Sequence, residues 1–183
     1  MNRYSNIIIV AVIGAVVSVN AFAQQAQSST PTQNANPMSG ELKQMYNGVK
    51  NNLTKMAEKM PEENYGYKAT ADIRSFGQLV GHVADAQAGT CSAVNGEPKA
   101  LNASSKTTKA DLVAALKESF AICDKAFETL TDAKAAEMIT FRQRQRPKFS
   151  ALAGVVSHSN EEYGYMSVYL RLKGIVPPSS EGR

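Results

Sequence analysis

The stretch Arg146–Arg171, RPKFSALAGVVSHSNEEYGYMSVYLR, decides how the chain folds. Its spacing predicts one long helix. Pro147 suits the first turn, where its missing N–H is not needed. Phe149, Leu152, Val155, Val156, Met166, Tyr169 and Leu170 recur at spacings of three and four and make one buried face. Gly174 and then Pro177-Pro178 stop the helix. Polar groups interrupt the pattern in the middle. His158 and Glu162 are four apart, so they lie one turn above each other on the same side. A histidine and a carboxylate pointing into a bundle make half of a candidate metal site. The other half must come from His82, since the chain has 2 histidines.

Working outward, three more amphipathic helices are expected. The first runs from about Ser39, as cap, to Lys59, with Leu42, Met45, Tyr46, Val49, Leu53 and Met56 as its stripe and Pro61 as its end. Glu62 to Arg74 reads as a packed connection with aromatic insertions. Ser75 caps the second helix, which reaches about Ala93 and has Phe76, Leu79, Val80, Val83 and Ala86 on its inner face, with His82 beside them. Thr107 or Thr108 caps the third, whose stripe is Leu112, Val113, Leu116, Phe120, Cys123, Phe127 and Leu130. Asp132 to Arg146 is expected to be a connection. Its Arg142, Arg144 and Arg146 either line an extended edge that binds an anion or form a solvated basic loop. The architecture is all-α, a single four-helix bundle.

The N-terminus reads as a leader rather than a core element. Arg3, the apolar run Ile7 to Val19 and Ala21-Phe22-Ala23 match the three parts of a secretory signal peptide over residues 1–23. The alternative is an uncleaved anchor, for which about 13 apolar residues are short. The residue directly after the cleavage site is Gln24 and not a cysteine, which argues against a lipid anchor. Residues 24–38, rich in Gln, Ser, Thr, Asn and Pro, read as a disordered linker. Residues 39–183 are the bundle. Removing the leader takes away Arg3 and no acid, leaving 19 basic against 16 acidic side chains. That balance is too mild for nucleic acid. The mature chain is expected to be periplasmic or secreted, and off the membrane once the leader is cut.

Two cysteines in an exported chain are most simply a disulfide, Cys91–Cys123. The two lie at similar depths along the second and third helices. At about 1.5 Å per residue, they meet only if those helices run parallel. Parallel neighbours need a long crossover, which Val94 to Lys106 supplies. With the bond the order is up-down-down-up; the alternative is two buried free thiols.

If the second and fourth helices pack antiparallel, His82, His158 and Glu162 converge. Two imidazoles and a carboxylate leave open positions on a divalent cation, as a catalytic site requires. Asp85 or Glu161 could orient one of the three from behind. The bland reading has two surface or satisfied core histidines, and Glu162 in solvent or paired with Arg171 or Lys173.

The assembled motifs resemble the DinB/YfiT-like family of metalloenzymes, in its exported branch. They are MAEKMPEENYGYKAT at Met56–Thr70, SFGQLVGHVADAQ at Ser75–Gln87 and HSNEEYGYMSVYLRLKGIVPPSS at His158–Ser180. The resemblance implies an up-down-down-up four-helix bundle. It implies a divalent metal, zinc, nickel, manganese or iron, held by three histidines. His82 and His158 match two of them. Glu162 stands where the family pattern has the third. That departure gives either a 2-His-1-carboxylate site or a decayed one. Characterised relatives activate a low-molecular-weight thiol, and an oxidising compartment suits water better. The resemblance therefore implies a metal-dependent hydrolase or transferase acting on a small-molecule substrate, and a homodimer. The rival is a non-catalytic periplasmic bundle with a decayed site, acting as a binding or structural protein.

Overall fold

Residues 35–182 are described by the computed structural model of this protein. They belong to one unit, Asn34–Arg183. The expected signal peptide at 1–23, and residues 24–34 of the expected linker, lie outside the described residues; the linker's last two residues, Pro37 and Met38, belong to the first helix.

Four long helices carry the structure: α1 (Pro37–Lys59), α2 (Phe76–Val94), α3 (Lys109–Thr129) and α4 (Lys148–Leu172). Their starts follow from local chemistry. Ser75 caps α2 in a reciprocal capping box with Gln78. Thr108 caps α3 by accepting from the Asp111 N–H. At the end of α4, Gly174 takes a left-handed φ of 72° that a side chain would resist.

Two expected helix starts shift. Helix α1 begins at Pro37, and Ser39 is not its cap but a buried residue of the first turn. The Ser39 backbone N–H and hydroxyl both donate to the Asp132 carboxylate, each at 2.7 Å. The start of α1 is thereby tied to the end of α3. Pro147 closes a strand and sits just before α4 rather than within it.

Neighbouring pairs fix the direction of each helix. Leu112, at the start of α3, packs on Gly77 at the start of α2, and Cys91 is bonded to Cys123 near their ends. So α2 and α3 run parallel. Lys109 at the start of α3 donates to the Met60 carbonyl just past α1, which makes those two antiparallel. Tyr169, late in α4, donates to the carbonyl of Arg74 just before α2, and Phe76 packs near its ring. The order is up-down-down-up. The Cys91–Cys123 disulfide is present, as the matched depths require.

The crossover from α2 to α3 is pinned on α2. Asp85 accepts from the backbone N–H groups of Ala103 and Ser104 and from the Ser104 hydroxyl. One turn earlier, Gly81 leaves the room: a Cβ there would lie 2.9 Å from the Ala103 carbonyl oxygen. The core comprises Leu53, Met56, Phe76, Val80, Val83, Leu116, Leu152 and Leu170 with their neighbours. Each such side chain contributes roughly 1.5–3 kcal/mol when fully buried. Met45, expected in the α1 stripe, is 51% exposed, because it lies a full 100° step from Tyr46, which the core takes instead.

The connection before α4 is not a plain loop. Met138–Phe141 (β1) and Arg144–Pro147 (β2) form an antiparallel hairpin, with Ile139 opposite Arg146 and Phe141 opposite Arg144. Among the described residues, no helix is long and apolar enough to cross a membrane.

Candidate metal centre

His82 sits two turns into α2, and His158 and Glu162 sit in the middle of α4. The antiparallel packing of these helices brings them together. The two Nε2 atoms are 3.1 Å apart, and Glu162 Oε1 is 3.5 Å from each. The rings meet edge to face, with centroids 5.1 Å apart. Glu162 is buried, and its second oxygen has no hydrogen-bond partner among the described residues. It neither faces solvent nor pairs with Arg171, which donates to the Ser180 hydroxyl instead.

A buried carboxylate without a full set of partners is costly. Burial pushes the Glu162 carboxyl above its ordinary pKa, against the pull of His158 and Arg74. Burial, Arg74 and His158 hold His82 below its ordinary value, with Asp85 partly opposing them. A neutral His82 keeps a lone pair to donate but offers Glu162 no positive charge.

These distances can be set against a bound ion. Tetrahedral ligands at about 2.05 Å from zinc lie about 3.3 Å from one another. The observed triangle, 3.1, 3.5 and 3.5 Å, has edges of that size. The donor set of two imidazoles and one carboxylate is also one that leaves positions open. The residues fit a divalent cation.

The triangle is reached from solvent. The side chains of His82 and His158 are 33% and 31% exposed, against 6% for Glu162. A cavity of about 210 Å³ opens on the histidines and is also lined by Gln87, Phe141, Arg142 and Arg146. A larger cavity, about 690 Å³, lies against Arg74, Leu79, Tyr165 and Tyr169. It holds no converging ligand set, so donor geometry rather than volume locates the centre.

The two residues expected to stand behind the ligands do other things. Asp85 uses its carboxylate on the crossover, and Glu161 is exposed and accepts from the Tyr165 hydroxyl. Neither hydrogen-bonds a histidine among the described residues. Three neighbours had no mark in the residue spacing. Arg74 bears electrostatically on both His82 and Glu162. Gln87, fully buried, donates to Ser159 across the α2–α4 seam and leaves its amide oxygen unpartnered. A glutamine on an inner face was the available signal for that pair. The hairpin that closes the cavity is the third.

A family model described as the DinB superfamily matches residues 45–166, more than half of the chain and inclusive of all three triangle residues. This chain belongs to the DinB superfamily. Among solved structures it is similar to a DinB-like protein of Bacillus cereus, with 17% identity and a TM-score of 0.67, covering 76% of this chain and 95% of that one. A DinB-like protein of Bacillus subtilis is similar at 21% identity and a TM-score of 0.60, covering 73% and 92%. At these identities the likeness is one of fold. No curated protein matches the chain.

Proposed function

We propose that this DinB protein is exported and holds a divalent metal cation through His82, His158 and Glu162, as a metal-dependent hydrolase or transferase. The observation that carries the reading is the triangle itself: two Nε2 atoms and a buried carboxylate oxygen at ligand-to-ligand distances. Bound there, the ion would polarise a substrate oxygen or lower the pKa of a water. Glu162 supplies negative charge from a buried position, and Arg74 limits how much charge the site collects. The two imidazoles line the cavity of Gln87 and Arg142, so a substrate group held there would be within reach of the ion. The disulfide fits an oxidising compartment, where water suits the chemistry better than a thiol cosubstrate.

Elemental analysis of the mature protein, expressed to the periplasm, tests this reading. About one metal per chain is expected, lost in His158→Ala. Absence of metal in the wild type, with metal gained in Glu162→His, would mean a decayed site and a non-catalytic bundle.

A further inference from the structure

We propose that the cavity beside the His82–His158–Glu162 triangle receives a small oxyanion, the carboxylate or phosphate group of the substrate, between the guanidinium groups of Arg142 and Arg146. Calling that anion a substrate rests on the metal reading above; the arginine grip does not.

The hairpin register turns Arg146 inward, and the turn carries Arg142 to the cavity rim. Residues opposite each other on paired strands share a face. Ile139 is opposite Arg146 and Phe141 opposite Arg144, so these four lie together. Gln145 and Thr140 lie on the other face, hydrogen-bonded at 2.7 Å. Ile139 packs against the core, which identifies the inner face. Arg146 and Arg142 line the histidine cavity. A solvated basic loop would not place them there. Arg142 and Arg144 are both exposed, but Arg144 lines only an outer cavity of about 590 Å³, whereas Arg142 lines both.

The charges in this wall are uncompensated. Among the described residues six lysines pair with carboxylates, namely Lys50, Lys59, Lys99, Lys117, Lys125 and Lys148. None of the three hairpin arginines does. Arg146 donates to the Ser150 carbonyl at 3.2 Å, and Arg142 lies over the Phe141 ring at 5.1 Å. Each guanidinium therefore keeps donors to spare, in the fork that matches a carboxylate or phosphate. Gln87, in the same wall, leaves one end of its amide without a partner.

The turn is held in an unfavourable conformation. Arg142 and Gln143 have φ of 48° and 62°, in a two-residue connection that usually takes Asn-Gly. Side chains with a Cβ resist that region, and such outliers cluster at functional sites. The conformation sets Arg142 on the cavity rim. At about 210 Å³ the cavity is below the roughly 300–1,000 Å³ of a drug-sized ligand, so the anion is small. Phe141, Arg142 and Arg146 also border the outer cavity, which gives the rest of the substrate a way out past Arg144.

Calorimetric titration tests the proposal, with acetate, inorganic phosphate and the neutral acetamide as probes. The mature protein is used zinc-loaded and metal-free, as wild type, Arg142→Ala/Arg146→Ala and Arg142→Gln. At least one anion is expected to bind the wild type while acetamide does not, and the tighter one identifies the group. Affinity should fall by at least about tenfold in the double variant, with zinc content unchanged, and weaken with added salt. Arg142→Gln alters only the exposed turn, leaves the strands in place and should lose at least about threefold alone. No anion binding by the wild type, or equal affinity in the variants, overturns the proposal. Zinc bound with arginine-independent anion binding sinks this inference and leaves the metal reading standing. Arginine-dependent anion binding in a chain that takes up no zinc does the reverse.

Discussion

Toward α3, helix α2 presents Gly77 against Leu112, the Asn95 amide on the Ile122 carbonyl, and a covalent bond from Cys91 to Cys123. Toward α4 the same helix presents His82 to His158 and Glu162, and Gln87 to Ser159. The first seam is closed and satisfied. The second buries two polar oxygens without partners among the described residues, Gln87 Oε1 and Glu162 Oε2. Polar atoms left short in a core lower stability, so a fold keeps them only where something else holds the backbone in place. Here the α2–α3 seam does the holding, and the α2–α4 seam is where ligands can act.

Breaking the closed seam should have the largest effect. The cysteines are 32 residues apart, and a loop of that size corresponds to about 3–4 kcal/mol in the chain-entropy account. Cys91→Ser/Cys123→Ser should lose about that much in urea unfolding while its metal content stays at the wild-type level. Metal loss in that variant would show that the two seams are not independent.

Next comes the crossover that joins α2 to α3. Gly81→Ala puts a Cβ against the Ala103 carbonyl and the Ser104 Cα, which are backbone atoms and cannot rotate away. A loss of about 1–3 kcal/mol is expected, read as a lower denaturation midpoint at unchanged slope.

The open seam should respond with the opposite sign. Glu162→Met removes a buried carboxylate at similar volume and should raise metal-free stability by about 1–2 kcal/mol. It should also abolish any rise in Tm on adding zinc. The gain depends on pH. Burial raises the Glu162 carboxyl above 4.5, so the folded wild type binds the extra proton between 4.5 and that higher value. Wild-type stability therefore falls as pH rises through that window, and the advantage of the Met variant grows with it. An advantage constant with pH would mean that Glu162 is already compensated.

Asp85→Asn should have the smallest effect. Burial pushes Asp85 up, but the Ser104 hydroxyl and the Ser104 and Ala103 amides outweigh it and hold the carboxyl below 3.8. The side chain is half-buried, so solvent still screens it and discounts the term to about 1 kcal/mol or less. That stability is present above pH 3.8 and lost as pH falls through the lower folded value. Unfolding of the variant and wild type should therefore converge in acid.

The four helices were legible because each buries a stripe at a spacing only a helix can satisfy, and because Ser75, Thr108 and Gly174 punctuate them locally. The direction of α2 relative to α3 was legible too, since two cysteines at equal depth allow one arrangement. So was the triad, because the chain has 2 histidines and one of them stands a single turn from a carboxylate on the same face. The family pattern added the position that Glu162 fills.

Tertiary structure decided the rest. Ser39 looked like a cap until Asp132, far along the chain, claimed its N–H and hydroxyl. Asp85 looked like a support for His82 until the crossover took its carboxylate. The arginines of 142–146 read as a solvated loop before a binding edge, since a charge run carries no record of what it faces. Spacing along a helix determines which residues share a face, because 3.6 residues per turn is a local property. Which partner meets that face is a long-range property, settled only when α4 and its hairpin close over α2.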